Sequence, residues 1–190
     1  MSDKFLKEIR KVLIQNAKAG DKDFFSKMVP GEQKIYGVKT PVLNELAKKY
    51  KAGSFDLATL LWQSGSLEER IIAIKIMEKT GKQDPDLTLK LFKKFSKDIN
   101  NWAVCDGLGM QFLRSIVKTH AEQIFAIANK FSRSKNLWQR RLSLVMVEWY
   151  TRKKERIPEI KQLVAALEND KEYYVKKAVS WLKRNFEKKK

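Results

Sequence analysis

The chain of 190 residues contains 40 Lys and Arg against 22 Asp and Glu, which gives a formal net charge of +18. Its single cysteine, Cys105, and single histidine, His120, exclude a disulfide framework, a Cys/His zinc site and a histidine-based triad within one chain. No stretch approaches the roughly 20 apolar residues of a membrane span, and the N-terminus lacks the apolar segment of a signal peptide. We therefore expect a cytoplasmic protein without membrane contact, metal or cofactor.

The excess of positive charge favours a polyanionic partner. A modest net charge is sufficient for solubility, and here aromatic residues are interleaved with the cations, as in surfaces that bind nucleic acid. A solvated lysine-rich surface without such a partner is the alternative.

Hydrophobic residues at helical spacing open the chain. Helices are predicted over residues 3–18 and around residues 24–28. A third is predicted with Thr40 as its N-cap and Pro41 at its first helical position, where the missing proline N–H has no partner to lose. Together these elements are predicted to form an N-terminal helical cap over residues 1–53.

Four helix pairs are predicted in residues 54–186, because the second helix of each pair begins at a regular interval. Such a period is typical of stacked helix pairs. At the first of these starts, Ser66 and Glu69 also have capping-box spacing. The four starting residues are good N-caps separated by 35, 35 and 34 positions: Ser66, Asn101, Asn136 and Asp170.

The predicted fold is a single all-α domain over residues 1–190, a right-handed stack of antiparallel helix pairs with a concave basic groove. The second helices of the middle pairs are predicted to run from Asn101 to about Val117 and from Asn136 to Tyr150. A basic tail is predicted over residues 187–190.

Two neighbouring second helices carry opposite charges at equivalent positions. Asp106 and Arg141 are 35 residues apart, so we expect their carboxylate and guanidinium to lie side by side. Trp102 lies one turn before Asp106, away from the apolar stripe. Gly107 and Gly109 leave room for another backbone to approach. The alternative is a half-buried tryptophan whose neighbouring aspartate only caps a helix.

Further cations lie on the second helices, which usually line the concave side of such a stack. Trp181 lies between Lys177 and Arg184, and an aromatic face among cations suits a base or sugar flanked by phosphates. Trp138 is expected to be mainly core. The cations predicted to line the groove are Arg70, Arg140, Arg141, Lys176, Lys177 and Arg184.

Four segments carry a resemblance to a known family. In this order and spacing they resemble the DNA alkylation repair family of HEAT-like-repeat glycosylases, over residues 20–186. The resemblance implies a HEAT-like α-solenoid. The segments are Ile35–Pro41, Asn101–Asp106, Leu137–Arg141 and Val175–Trp181.

The resemblance also implies site residues. The catalytic acid falls on Asp106, and the two tryptophans that sheathe the damaged nucleotide fall on Trp102 and Trp181. Arg141 is the implied backbone-gripping arginine, and an aromatic near the lesion is replaced around Lys27–Met28. The DNA contacts predicted in total are Arg141, Arg140, Arg70, Lys176, Lys177, Arg184 and Lys39.

The substrate implied by the resemblance is duplex DNA with cationic N3- or N7-alkylated purines, bound by a monomer that is nucleoid-associated when on DNA. Such a base is already a good leaving group, so Asp106 would stabilise the cation that develops on the sugar. An open groove predicts no base-flipping pocket. A non-catalytic nucleic-acid-binding module and a protein-interaction scaffold remain alternative functions.

Overall fold

The computed structural model describes residues 1–31 and 34–187, and these ranges are almost entirely helical. Their only β-type pairing is a single parallel bridge between Lys34 and Ser66. No helix in them is long and apolar enough to cross a bilayer. The α-helices are α1 Ser2–Asn16, α2 Ala19–Met28, α3 Thr40–Lys49, α4 Ser54–Gln63, α5 Leu67–Thr80, α6 Pro85–Phe95, α7 Trp102–Gly107, α8 Ala121–Ser132, α9 Leu137–Val145, α10 Ile157–Leu167 and α11 Tyr173–Glu187.

The helices pack in two layers, which confirms the predicted all-α stack of helix pairs. In the second-helix layer, α3, α5, α7, α9 and α11 each contact the next. In the other layer, α4 contacts α1 and α6, and α8 contacts α10. The pairs α4–α5, α8–α9 and α10–α11 join the layers. The apolar faces of these helices meet in one core that extends from Ile9 to Leu182.

The N-terminal segment extends both layers, since α1 packs on α4 and α3 packs on α5. Between them, α2 has no buried residue. At the other end, Glu187 is the last residue of α11, so the predicted basic tail starts too early. Residues 188–190 of that tail lie outside the described residues.

Side-chain caps fix several of the predicted helix starts. The Asn101 side chain accepts a hydrogen bond from the Val104 amide at 2.9 Å, and that of Asn136 accepts from the Trp138 amide at 2.8 Å. Both predicted caps are confirmed. Asp170 accepts from the Glu172 amide at 2.9 Å, but α11 begins only at Tyr173, so Asp170 precedes the helix.

The capping box predicted at Ser66 is wrong, because both acids that follow it bind the N-terminal segment instead. The buried Ser66 hydroxyl has no hydrogen-bond partner in the described part of the chain. Glu69 pairs with Arg10 at 3.1 Å. Glu68 accepts from the amides of residues 36–38 at 2.7–3.2 Å. These two buried carboxylates therefore fasten the N-terminal segment to α5.

The two middle second helices are shorter than predicted. After Gly107 the chain continues as a π-helical turn, Leu108–Phe112, and α9 ends at Val145. A Cβ on Gly109 would lie 2.8 Å from a Val145 methyl carbon and 3.0 Å from the Met146 amide nitrogen. Glycine thus lets the end of α9 approach the π-helical turn closely.

Capping gives a stability prediction. Asn136→Ala is expected to lower the free energy of unfolding by about 1 kcal/mol, because the Trp138 amide loses its acceptor. Ser66→Ala is the matched control and should leave that free energy unchanged or raise it, since its hydroxyl is buried without a partner among the described residues. Urea unfolding measures both; equal losses would contradict the assignment of the caps.

Candidate active site

Asp106 and Arg141 form a two-point ion pair, as their equivalent positions in the repeat predict. Arg141 Nε donates to Asp106 Oδ1 at 2.9 Å, and Nη2 donates to Oδ2 at 2.8 Å. The remaining nitrogen, Nη1, donates to the Tyr174 carbonyl at 2.7 Å. One guanidinium therefore connects α7, α9 and α11. The Arg141 side chain is 10% exposed and that of Asp106 is 30% exposed, so the carboxylate keeps access to solvent.

Burial and pairing act in opposite directions on this acid. Burial raises the pKa of the Asp106 carboxyl, and the hydrogen bonds and charge of Arg141 reduce that rise. For Arg141, burial lowers the pKa and the contact with Asp106 raises it more. Because a guanidinium stays protonated in proteins, Asp106 faces a permanent positive charge. The carboxylate is thus held in one orientation, with a pKa above that of an ordinary aspartate.

A cavity of about 350 Å³ opens beside the ion pair. The predicted absence of a base-flipping pocket stays a prediction. Arg141 lines the cavity. Asp106 does not line it but is paired with Arg141. Met28 and Tyr173 are 53% and 59% exposed, so the cavity presents apolar surface to solvent. The residues that line the cavity are Met28, Trp102, Arg141, Tyr173, Tyr174 and Lys177.

Trp102 forms one wall of this cavity and is half-buried against the core. Its indole Nε1 donates to the Met28 carbonyl at 3.0 Å. That bond joins α7 to the last residue of α2 and fixes the plane of the ring. Trp102 therefore both packs against the core and lines the cavity. It combines features of the two interpretations that the sequence left open, a half-buried packing residue and a binding residue.

Trp181 does not belong to this cavity wall. It is partly buried and packs against the core, so the structure does not bring it to the same cavity as Trp102. Trp138 also packs against the core, and its ring lies 5.1 Å from that of Tyr174. Tyr173 and Tyr174, from the same helix as Trp181, line the cavity. The role predicted for Trp181 stays a prediction.

Two of the predicted DNA contacts, Arg70 and Arg140, are corrected by the structure. Arg70 is 9% exposed and donates to the carbonyls of Trp62 at 3.4 Å and Asp98 at 3.1 Å. Arg140 pairs with Asp170 at 2.6 Å, and its Nη1 donates to two backbone carbonyls of residues 134–135. Both guanidinium groups thus hold neighbouring segments of the chain together, and unlike Arg141 neither lines the cavity beside Asp106.

The other predicted contacts are exposed. Lys177 lines the cavity, with Nζ 5.3 Å from the Tyr173 ring centre. Lys176 and Arg184 are exposed on the same helix, α11. Lys39 forms only a loose ion pair, 3.7 Å from Asp21, with a largely exposed side chain. These four cations can reach a polyanion without breaking internal bonds of the kind that hold Arg140.

Within residues 1–31 and 34–187, no group of three or more His, Cys, Asp or Glu side chains could hold a metal ion. Burial raises the pKa of the Cys105 thiol well above its ordinary value, so the thiol is a poor nucleophile.

Comparison with known proteins decides the family. The sequence profile of the DNA alkylation repair enzyme family matches residues 9–190. The chain belongs to this family. Membership implies an enzyme of DNA repair with DNA as its substrate.

A solved structure supports the same fold. The protein, named as a predicted DNA alkylation repair enzyme from Enterococcus faecalis, superposes with a TM-score of 0.76 at 17% sequence identity. The match covers 91% of this chain and 84% of the other, and at that identity it establishes the fold alone. No curated protein matches the sequence.

Two residues that line the cavity, Tyr173 and Tyr174, were not predicted from the sequence. A signal existed for them, since they directly precede the segment Val175–Trp181. Met28 lies in the place near the lesion that the resemblance gave to Lys27–Met28, and its carbonyl accepts the hydrogen bond of Trp102.

The exposed and internal cations should differ in salt dependence. The logarithm of duplex affinity falls with the logarithm of salt concentration by about 0.9 for each phosphate neutralised. Lys177→Gln should flatten that slope by about 0.9, because its ammonium is free to contact phosphate. Arg140→Gln changes net charge equally but should leave the slope unchanged. Fluorescence anisotropy over a salt series measures both, and a flatter slope for Arg140→Gln would return that residue to the DNA surface.

Proposed function

We propose that the protein is a DNA glycosylase that hydrolyses the N-glycosidic bond of cationic N3- or N7-alkylpurines in duplex DNA. The observation that carries this proposal is the Asp106 carboxylate, oriented by Arg141 beside an aromatic cavity with Lys177 at its wall. Membership of the alkylation repair family supports the wider class of substrate.

Hydrolysis of this glycosidic bond requires a negative charge held close to the sugar more than it requires a strong acid. As the C1′–N bond breaks, the alkylpurine leaves with the bonding electrons and loses its positive charge, while positive charge develops on the sugar. Asp106 stabilises that charge electrostatically. Water then adds its oxygen to C1′ and passes a proton to the carboxylate, whose raised pKa favours acceptance.

Arg141 has a double role in this proposal. In the free protein it compensates much of the charge of Asp106, which would weaken the stabilisation of a sugar cation. Three of its five N–H groups are used by Asp106 and the Tyr174 carbonyl, so the others remain for a DNA phosphate at the cavity wall. A phosphate bound there would share the positive charge of Arg141 and restore the field of Asp106.

Aromatic faces would supply selectivity for charged bases. Trp102 and Tyr174 line the cavity, and each cation–π contact contributes about 0.5–2 kcal/mol. We assign the second face to Tyr174, because it lines the cavity and its carbonyl is bound by Arg141, whereas Trp181 does not line the cavity. A neutral base would gain less from these faces than an alkylated one.

A non-catalytic DNA-binding protein is the second candidate. The observation in its favour is that both carboxylate oxygens of Asp106 already accept hydrogen bonds from Arg141. In that case Asp106 would only join neighbouring repeats.

Asp106→Asn separates the two candidates. The change removes the negative charge, so release of 7-methylguanine from duplex DNA should fall by about 100-fold or more while DNA binding persists. Because it also leaves the Arg141 charge uncompensated, it should lower the free energy of unfolding by up to about 3–5 kcal/mol.

Asp170→Asn is the matched control, since it breaks the similar two-point pair with Arg140. It should destabilise the fold in the same way but keep base release close to that of the wild type. Assays are run well below both melting temperatures. Equal losses of base release in the two variants would attribute the effect to stability and overturn the catalytic role.

A further inference from the structure

A second groove lies at the other end of the same helices. The candidate active site is formed by the N-terminal turns of α7, α9 and α11, whereas this groove is formed by the segments that follow α7 and α9. It consists of two adjoining cavities of about 580 and 230 Å³. Both are lined by Val117, Trp149 and Arg152. We call it the rear groove.

The rear groove exists because two helices end early. The π-helical turn Leu108–Phe112 and the turns that follow it replace the last part of the predicted helix, and α9 ends at Val145. π-Helical turns are frequent at functional sites because they cost regular hydrogen bonding. The space opened between repeats reaches the volume of a small-molecule site, about 300–1,000 Å³.

Trp149 forms an aromatic wall of the rear groove. Trp149 is half-buried, and its ring meets that of Tyr150 edge-on at 5.3 Å. The Tyr150 hydroxyl donates to the Val117 carbonyl at 2.6 Å, and burial raises the pKa of Tyr150 to about 12. The uncharged Tyr150 ring, held by its hydrogen bond, therefore supports one side of the Trp149 ring.

The cations around this wall are of two kinds. Arg152 is held by Glu148 at 3.2 Å, and Arg156 is held by Glu122 and Glu159. Lys118 and Lys153 are exposed and form no ion pair with any described residue, and Lys153 Nζ lies 5.9 Å from the Trp149 ring. The arginines thus have internal partners, while the two lysines line the groove without one among the described residues, together with the exposed carboxylate of Glu155.

We propose that the rear groove binds a nucleotide whose base is unpaired, with the base on Trp149 and the phosphate between Lys118 and Lys153. An aromatic face flanked by mobile cations is the arrangement that single-stranded nucleic acids use, because stacking tolerates any base and the cations follow the backbone. A paired base has no free face to offer. This site is separate from the proposed glycosylase site and does not depend on it.

The test compares two double variants with the same charge change. Lys118→Gln/Lys153→Gln removes both free cations of the groove. Lys11→Gln/Lys90→Gln removes two exposed lysines of α1 and α6, far along the chain from it. Affinity for an oligothymidine of about 20 nucleotides is measured over a salt series. The groove variant should bind about tenfold more weakly, with a salt slope reduced by about 1.4, and the control much less.

Further binding measurements identify the kind of ligand. Displacement of the oligonucleotide by thymidine monophosphate in the wild type, but not in the groove variant, would assign the site to a free nucleotide. Absence of displacement would assign it to a strand. Equal effects of the two double variants would overturn the proposal. It would also be overturned if the groove variant kept oligonucleotide binding and lost binding to phosphatidylglycerol vesicles. Release of 7-methylguanine from duplex DNA by the groove variant should equal that of the wild type, whatever the outcome for the glycosylase proposal.

Discussion

The guanidinium of Arg141 is the contact on which the candidate site depends. It donates two hydrogen bonds to Asp106 on α7 and one to the Tyr174 carbonyl on α11, from a position on α9. Three successive helices of one layer are therefore held by a planar group with fixed donor directions. The cavity walls, Trp102 from α7 and Tyr174 from α11, are placed by the same contact. A lysine could not form this geometry.

Two adjacent arginines, Arg140 and Arg141, have different roles in this fold. Arg140 is bound by Asp170 and by the carbonyls of residues 134–135. Arg141, one residue on, points to the cavity. Successive residues lie about 100° apart around a helix, so neighbouring side chains need not share a face. Fewer of the predicted groove cations are therefore available than the sequence suggests, and three of the exposed ones, Lys176, Lys177 and Arg184, lie on α11.

The sequence predicted the parts of this structure that rest on local rules. The repeat period and the Asn101 and Asn136 caps gave the helix stack, and equivalent positions gave the Asp106–Arg141 pair. It missed features that depend on distant packing. The close approach of Val145 to Gly109 and the hydrogen bond between Trp102 and the Met28 carbonyl both join residues that are far apart in the sequence. Charge alone could not reveal that Arg70 and Arg140 bind loop carbonyls.

The central claim is that a carboxylate held in an ion pair still serves hydrolysis of a glycosidic bond. Single-turnover incubation of the wild-type protein in excess over a duplex with one N7-methylguanine tests it most directly, with abasic sites scored by alkaline strand cleavage. The account predicts that abasic sites accumulate faster than by spontaneous depurination of the same duplex. Saturated binding of the duplex with abasic sites forming at the protein-free rate would contradict it.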